Sequence, residues 1–190
     1  KVLDSHIRTA LDGLEDSSDP LVIALALNAY TFDHFKRVSF ATGISGVDLL
    51  ERGEAVCGGM AITIAEMLHA SGITNRLAYL VGGGAAHSMV EARLTGDERV
   101  LLDPYHGIAY LDSTVKRRPL SLEQVTSAVA AGRRDIVAVY DGHRADGNIF
   151  AAYIPLGNQV RDMADYSLLS FEQAHGAGVS HAGYVHRVAL

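Results

Sequence analysis

Residues 55–72 read AVCGGMAITIAEMLHASG, and this stretch decides the fold. Val56, Met60, Ile64, Met67 and Leu68 recur at helical spacing and Ser71-Gly72 supplies a C-terminal stop, so a helix begins beside Cys57 and ends near residue 70. Directly after Gly72 the period changes. Residues 76–81, 86–94 and 99–103 read as strands, and Thr95-Gly96-Asp97-Glu98 joins the last two as a hairpin.

Upstream, Val2, Leu3, Ile7, Leu11 and Leu14 predict a helix over 2–14. Asp16-Ser17-Ser18-Asp19-Pro20 ends it and caps a second helix that runs from Pro20 to about Lys36. Gly43 and Gly46 break the next segment, before a short helical turn at 47–50. Downstream, 104–119 reads as irregular and 121–131 as a helix, with Ser121 as N-cap and Gln124 in the capping-box position. Residues 136–140 and 151–155 read as two further strands. Helices first, then a mostly antiparallel sheet, is the α+β pattern. With 190 residues the chain has room for one well-buried core, so a single domain over 1–190 is expected.

The bulk composition removes several classes of function. Nearly half of the residues are apolar and a fifth are charged, as in a soluble globular protein. A net charge of -6 argues against a nucleic acid or an anionic membrane as partner, because both need a basic surface to replace counterions. The longest apolar run, Leu21 to Ala29, is interrupted by Asn28 and is less than half of what a bilayer requires, so no membrane span is expected. A single cysteine excludes an internal disulfide. It leaves the compartment open, with the cytoplasm favoured.

That cysteine, Cys57, falls in the first turn of its helix, where unpaired backbone N–H groups and the helix dipole favour an anion. A thiol attacks a carbonyl only as thiolate, and at neutral pH an unperturbed thiol is only a few per cent ionised. An imidazole must therefore take its proton, and a third group must fix the ring. His87 and Asp103 lie on the two strands of the predicted hairpin. An odd loop at 95–97 pairs Met89 with Asp103 and sets His87 and Asp103 on one face as diagonal neighbours. A two-residue loop at Gly96-Asp97 would pair His87 with His106 and separate the candidates. The Cys57, His87, Asp103 reading thus requires the odd loop.

Gly58 and Gly59 suit a close approach of substrate to the backbone, with the Cys57 N–H as one oxyanion donor. Asn28, polar within an apolar helix, is a candidate second contact to the oxyanion or substrate, although a buried structural role also fits. Gly82-Gly83-Gly84 lacks the helix and lysine of a phosphate loop and reads as a connector at the pocket rim. His175, His181 and His186 have no paired cysteine or strict spacing, and a zinc site from Cys57, His87 and Asp103 suits one helix-start cysteine less well than a nucleophile does. No metal is expected.

Four segments together resemble the transglutaminase-like superfamily, whose fold is papain-like. They are Gly53-Glu54-Ala55-Val56-Cys57-Gly58-Gly59-Met60-Ala61, Leu68-His69-Ala70-Ser71-Gly72-Ile73-Thr74-Asn75-Arg76-Leu77, His87-Ser88-Met89-Val90-Glu91 and Val100-Leu101-Leu102-Asp103-Pro104. The likeness covers about residues 50–110. It implies Cys57 as nucleophile, His87 as general base and acid, and Asp103 as the orienting carboxylate. It also implies acyl transfer or hydrolysis at an amide, ester or thioester carbonyl, without a cofactor. The partner is then a peptide or small acyl substrate, with an amine acceptor if the reaction is transfer. The chain has no tryptophan and carries Met89 two residues after the histidine, which departs from members that crosslink glutamine to lysine. The alternative is a catalytically silent domain of this fold that binds a peptide or glycan or scaffolds an assembly.

Overall fold

The computed structural model describes residues 1–14, 18–39, 45–82, 85–112 and 118–131, together with the backbone of 138–140, 153–155 and 167–170. Three helices precede the decisive stretch: α1 (Val2–Leu11), α2 (Pro20–His34) and α3 (Gly46–Arg52). The first is two-faced and buries only one residue fully, Ala10. The second is apolar nearly all round and is accordingly a core helix. It starts where the sequence says, with Asp19 accepting a hydrogen bond from the Leu21 N–H at 2.8 Å and Pro20 in the first turn.

Between α2 and α3 the chain forms β1 (Lys36–Arg37), which pairs in parallel with β2 (Glu54–Ala55). Then α4 (Cys57–Ala70) packs on the sheet. The strands that follow are β3 (Asn75–Gly82), β4 (Ala85–Arg93), β5 (Arg99–Asp103), β6 (Ile108–Ala109), β7 (Leu111–Asp112) and β8 (Arg118–Pro119). After α5 (Leu122–Ala130) come β9 (Ala138–Tyr140), β10 (Tyr153–Pro155) and β11 (Ser167–Ser170). Seven of these form one antiparallel sheet in the order β10-β9-β6-β5-β4-β3-β11, and β7 pairs with β8 separately. The α+β expectation holds.

Alternation along the strands sorts the residues that matter. Leu77, Val90, Ala92, Val100 and Leu102 join Leu25, Leu27, Ile64 and Leu68 in the core shared with α2 and α4. In β4 and β5, His87, Met89 and Glu91 therefore have the opposite parity, as do Leu101 and Asp103. The hairpin register pairs Val90 with Leu102 and Arg93 with Arg99, and the Leu94 N–H donates to the Glu98 carbonyl at 2.8 Å. This is the odd-loop register, with the paired stretch ending at Val90 and Leu102.

Several expectations need correction. Helix α1 stops at Leu11 because Asp12 turns extended, and α2 stops at His34 because Lys36 enters β1. Gly46 does not break the chain but begins α3, its N–H bonded to Glu66 Oε2 at 3.0 Å. Residues 104–119 are not wholly irregular: β6, β7 and β8 lie there, each two residues long and recruited by long-range pairing rather than by a local pattern. Asn28 is fully buried, and its Nδ2 donates to the Ile108 carbonyl at 3.1 Å. It ties α2 to β6, beside Asp103. Gly83, Gly84, His175, His181 and His186 lie outside the described residues.

Candidate active site

Cys57 opens α4 behind Val56, whose side chain makes no capping bond, so the first-turn N–H groups are not capped by a side chain. The thiol is partly buried. Burial by itself would raise its pKa, but a hydrogen bond and charge from His87 and the backbone N–H groups of Ser88 and Gly58 overturn that and hold Cys57 below the ordinary thiol value. Gly58 keeps an open side, since a Cβ there would meet only the Ser88 hydroxyl at 3.7 Å. Gly59 has a different reason: a Cβ would press to 3.1 Å of Leu49, so its small size serves packing rather than substrate approach.

His87 Nε2 and Asp103 Oδ2 are 2.8 Å apart, as the diagonal placement in the hairpin requires. With Nε2 spent on Asp103, the nitrogen left for the Cys57 hydrogen bond is Nδ1. Burial would lower the imidazole, yet the bonds and charges of Asp103 and Cys57 push it up to about 10. Asp103 is driven the other way. Burial would raise it, but hydrogen bonds from His106 and His87, backed by their charges, hold it well below the usual carboxylate range. The three directions favour the charged form of each group: thiolate at Cys57, imidazolium at His87 and carboxylate at Asp103.

His106 is a member of the cluster that the sequence reading missed. Its Nδ1 also reaches Asp103 Oδ2 at 2.8 Å, while Asp103 Oδ1 accepts the N–H groups of Tyr105 at 3.1 Å and His106 at 3.2 Å. The signal was present in Asp103-Pro104-Tyr105-His106, because an aspartate that bonds the N–H two and three residues on folds the third side chain back over its own carboxylate. The His106 ring lies 5.0 Å from that of His87, and Tyr105 stands edge-on to His87 at 5.9 Å. Buried Tyr110 completes the surroundings. Its burial, and then the Asp103 charge, raise the phenol well above its ordinary value and keep it neutral.

His87 Nε2, Asp103 Oδ2 and His106 Nδ1 lie within 4.8 Å of one another, a donor set of the kind that binds divalent cations. A cation there would take both rings off the carboxylate and occupy the His87 nitrogen that Asp103 orients.

No protein-family model matches the chain, and no curated protein matches it. Among solved structures it is similar to a candidate cysteine protease from Cytophaga hutchinsonii, at 17% identity and a TM-score of 0.45 over 54% of this chain and 37% of that one. It is similar to a TGase at 17% identity and 0.43, over 54% and 31%, and to Legionella pneumophila LapG at 16% and 0.42, over 86% and 81%. The matched region thus spans well under half of the first two proteins. Likeness of this size leaves the chemistry to the geometry of the site itself.

Proposed function

We propose that the protein is a thiol-dependent enzyme of acyl transfer or hydrolysis. The observation that supports the reading is the His87 ring, held by Asp103 at 2.8 Å through Nε2, with the Cys57 thiol lowered by hydrogen bonding and charge from that same ring. Cys57 thiolate attacks the carbonyl carbon of a peptide, amide, ester or thioester. As the bond to the leaving group breaks, imidazolium His87 gives that group its Nδ1 proton, and the acyl group stays on sulfur as a thioester. Neutral His87 then takes a proton from the attacking water or amine. Water yields an acid; an amine yields a new amide. Asp103 does not react but fixes the ring and stabilises its charge.

The test is acylation by p-nitrophenyl acetate, quenched and read by mass spectrometry, with and without glycinamide as acceptor. The reading expects an acetyl adduct on Cys57 that His87→Ala forms about a hundredfold or more slowly, and N-acetylglycinamide if the acyl-enzyme accepts amines. Absence of any adduct on the folded protein would overturn it and favour the silent binding domain.

A further inference from the structure

Arg37 bridges the two chain segments that flank this site, and among the described residues the groups it touches are neutral. Its strand, β1, runs alongside β2, and the Val38 N–H donates to the Ala55 carbonyl at 3.3 Å, two residues before Cys57. From the other side, Arg37 Nε donates to the Tyr105 carbonyl at 2.8 Å, on the turn that leaves Asp103 and lays the Tyr105 ring against His87. The guanidinium carbon is 4.1 Å from the centre of the Phe32 ring and 5.8 Å from that of Tyr105. Gly107 permits this bracket. It adopts φ 69°, and a Cβ there would lie 2.9 Å from the Phe32 ring, so the turn rests directly on Phe32.

The neighbouring Lys36 is neutralised by Glu54 at 3.2 Å. Arg37 is exposed and, among the described residues, has a carbonyl and two rings for company and no carboxylate. A guanidinium fixed through Nε and one face keeps its two Nη groups as a planar fork, which matches a carboxylate. Position gives the fork a purpose. With a charged His87 between them, a Cys57 thiolate and the Asp103 carboxylate still leave the site net negative, so an acidic substrate needs a fixed cation beside it.

We infer that Arg37 binds a carboxylate of the substrate, from an acidic side chain or a free chain terminus, and makes the site selective for acidic peptides. The inference rests on Cys57 being the nucleophile. Because Cys57 is the sole thiol, iodoacetyl probes report on it alone. Three are compared at low salt by mass spectrometry: the iodoacetyl derivatives of glutamic acid α-amide, of glutamine and of glutamine α-amide. They carry a side-chain carboxylate, a terminal carboxylate and neither.

One carboxylate probe is expected to alkylate Cys57 about fivefold faster than the neutral one, and the probe that wins identifies the source. Arg37→Gln should bring that ratio to one or below, and Arg37→Lys should keep part of it. A ratio of rates on one protein does not move if the substitution merely loosens the turn. Equal rates for all three probes on the native protein, or a preference that survives Arg37→Gln, would overturn the inference while leaving the thiolate reading intact. Failure of every probe, iodoacetamide included, would sink the thiolate reading and the subsite with it.

Discussion

Glu91 and Asp103 are the two acidic side chains buried among the described residues, each only 2 % exposed, on neighbouring strands and with the same parity. Glu91 Oε1 meets Arg76 at 3.0 Å and Arg99 at 3.2 Å, and its Oε2 accepts the Leu122 N–H at 2.8 Å. Asp103 likewise accepts backbone N–H groups on one oxygen and two cation-forming side chains on the other. The difference lies in the partners. Arginines stay charged whatever happens nearby, so Glu91 is a fixed rivet between the hairpin and the start of α5. Histidines can exchange protons, and His87 is also linked to the Cys57 thiol, so the same burial at Asp103 holds a ring suited to the proposed chemistry.

The comparison breaks most sharply at His87. His87→Ala should lower acylation of Cys57 by about 10²–10⁴-fold, the ordinary worth of a positioned acid and base, measured with p-nitrophenyl acetate. Asp103→Asn should cost about a hundredfold in the same assay, because the ring then loses the carboxylate that holds its Nε2–H. Glu91→Gln belongs to the other kind. It should lower the urea stability by about 2 kcal/mol, less than for a fully buried pair because both arginines are more than a third exposed, and leave the pH profile of Cys57 unmoved. A Glu91→Gln change that shifts that profile would erase the distinction.

Stability against pH separates the two regions further. Asp103 lies below its ordinary 3.8 in the folded state, so its contribution is present above about pH 4 and lost as pH falls. His87 lies above its ordinary 6.5, so its contribution is complete below that value and lost as pH rises through about 10. The urea midpoint should therefore be highest between about pH 4 and 6.5, and His87→Gln should flatten the alkaline decline. The smallest effect is expected at His106. His106→Ala removes one of two side-chain donors from Asp103 and leaves the His87 bond, so acylation should fall only about two- to fivefold.

The helix at Cys57 and the hairpin were legible because each is local: a 3.6-residue period with a Ser-Gly stop, then a 2-residue period around a turn. Parity leaves two registers open, of which only the odd loop brings His87 and Asp103 to one face, and the pairing of Val90 with Leu102 and Arg93 with Arg99 decides for it. What was not legible depends on distant chain. The strands β6, β7 and β8 have no pattern of their own and exist because β5, β9 and one another pair with them. A polar residue on an apolar helix is compatible with either a strut or a substrate contact, and the bond from Asn28 to the Ile108 carbonyl depends on chain 80 residues away. His106 has no strand parity that marks it, because the turn after Asp103 folds its ring back onto the carboxylate.

The central claim is that Cys57 is ionised by His87 in the resting protein. The pH dependence of iodoacetamide alkylation at Cys57, in native protein and in His87→Ala, tests it most directly. The account predicts rapid alkylation of the native thiol well below pH 8, with the profile displaced to higher pH in the variant. A native thiol that stays unreactive until the protein unfolds, or a profile that His87→Ala leaves in place, would contradict it.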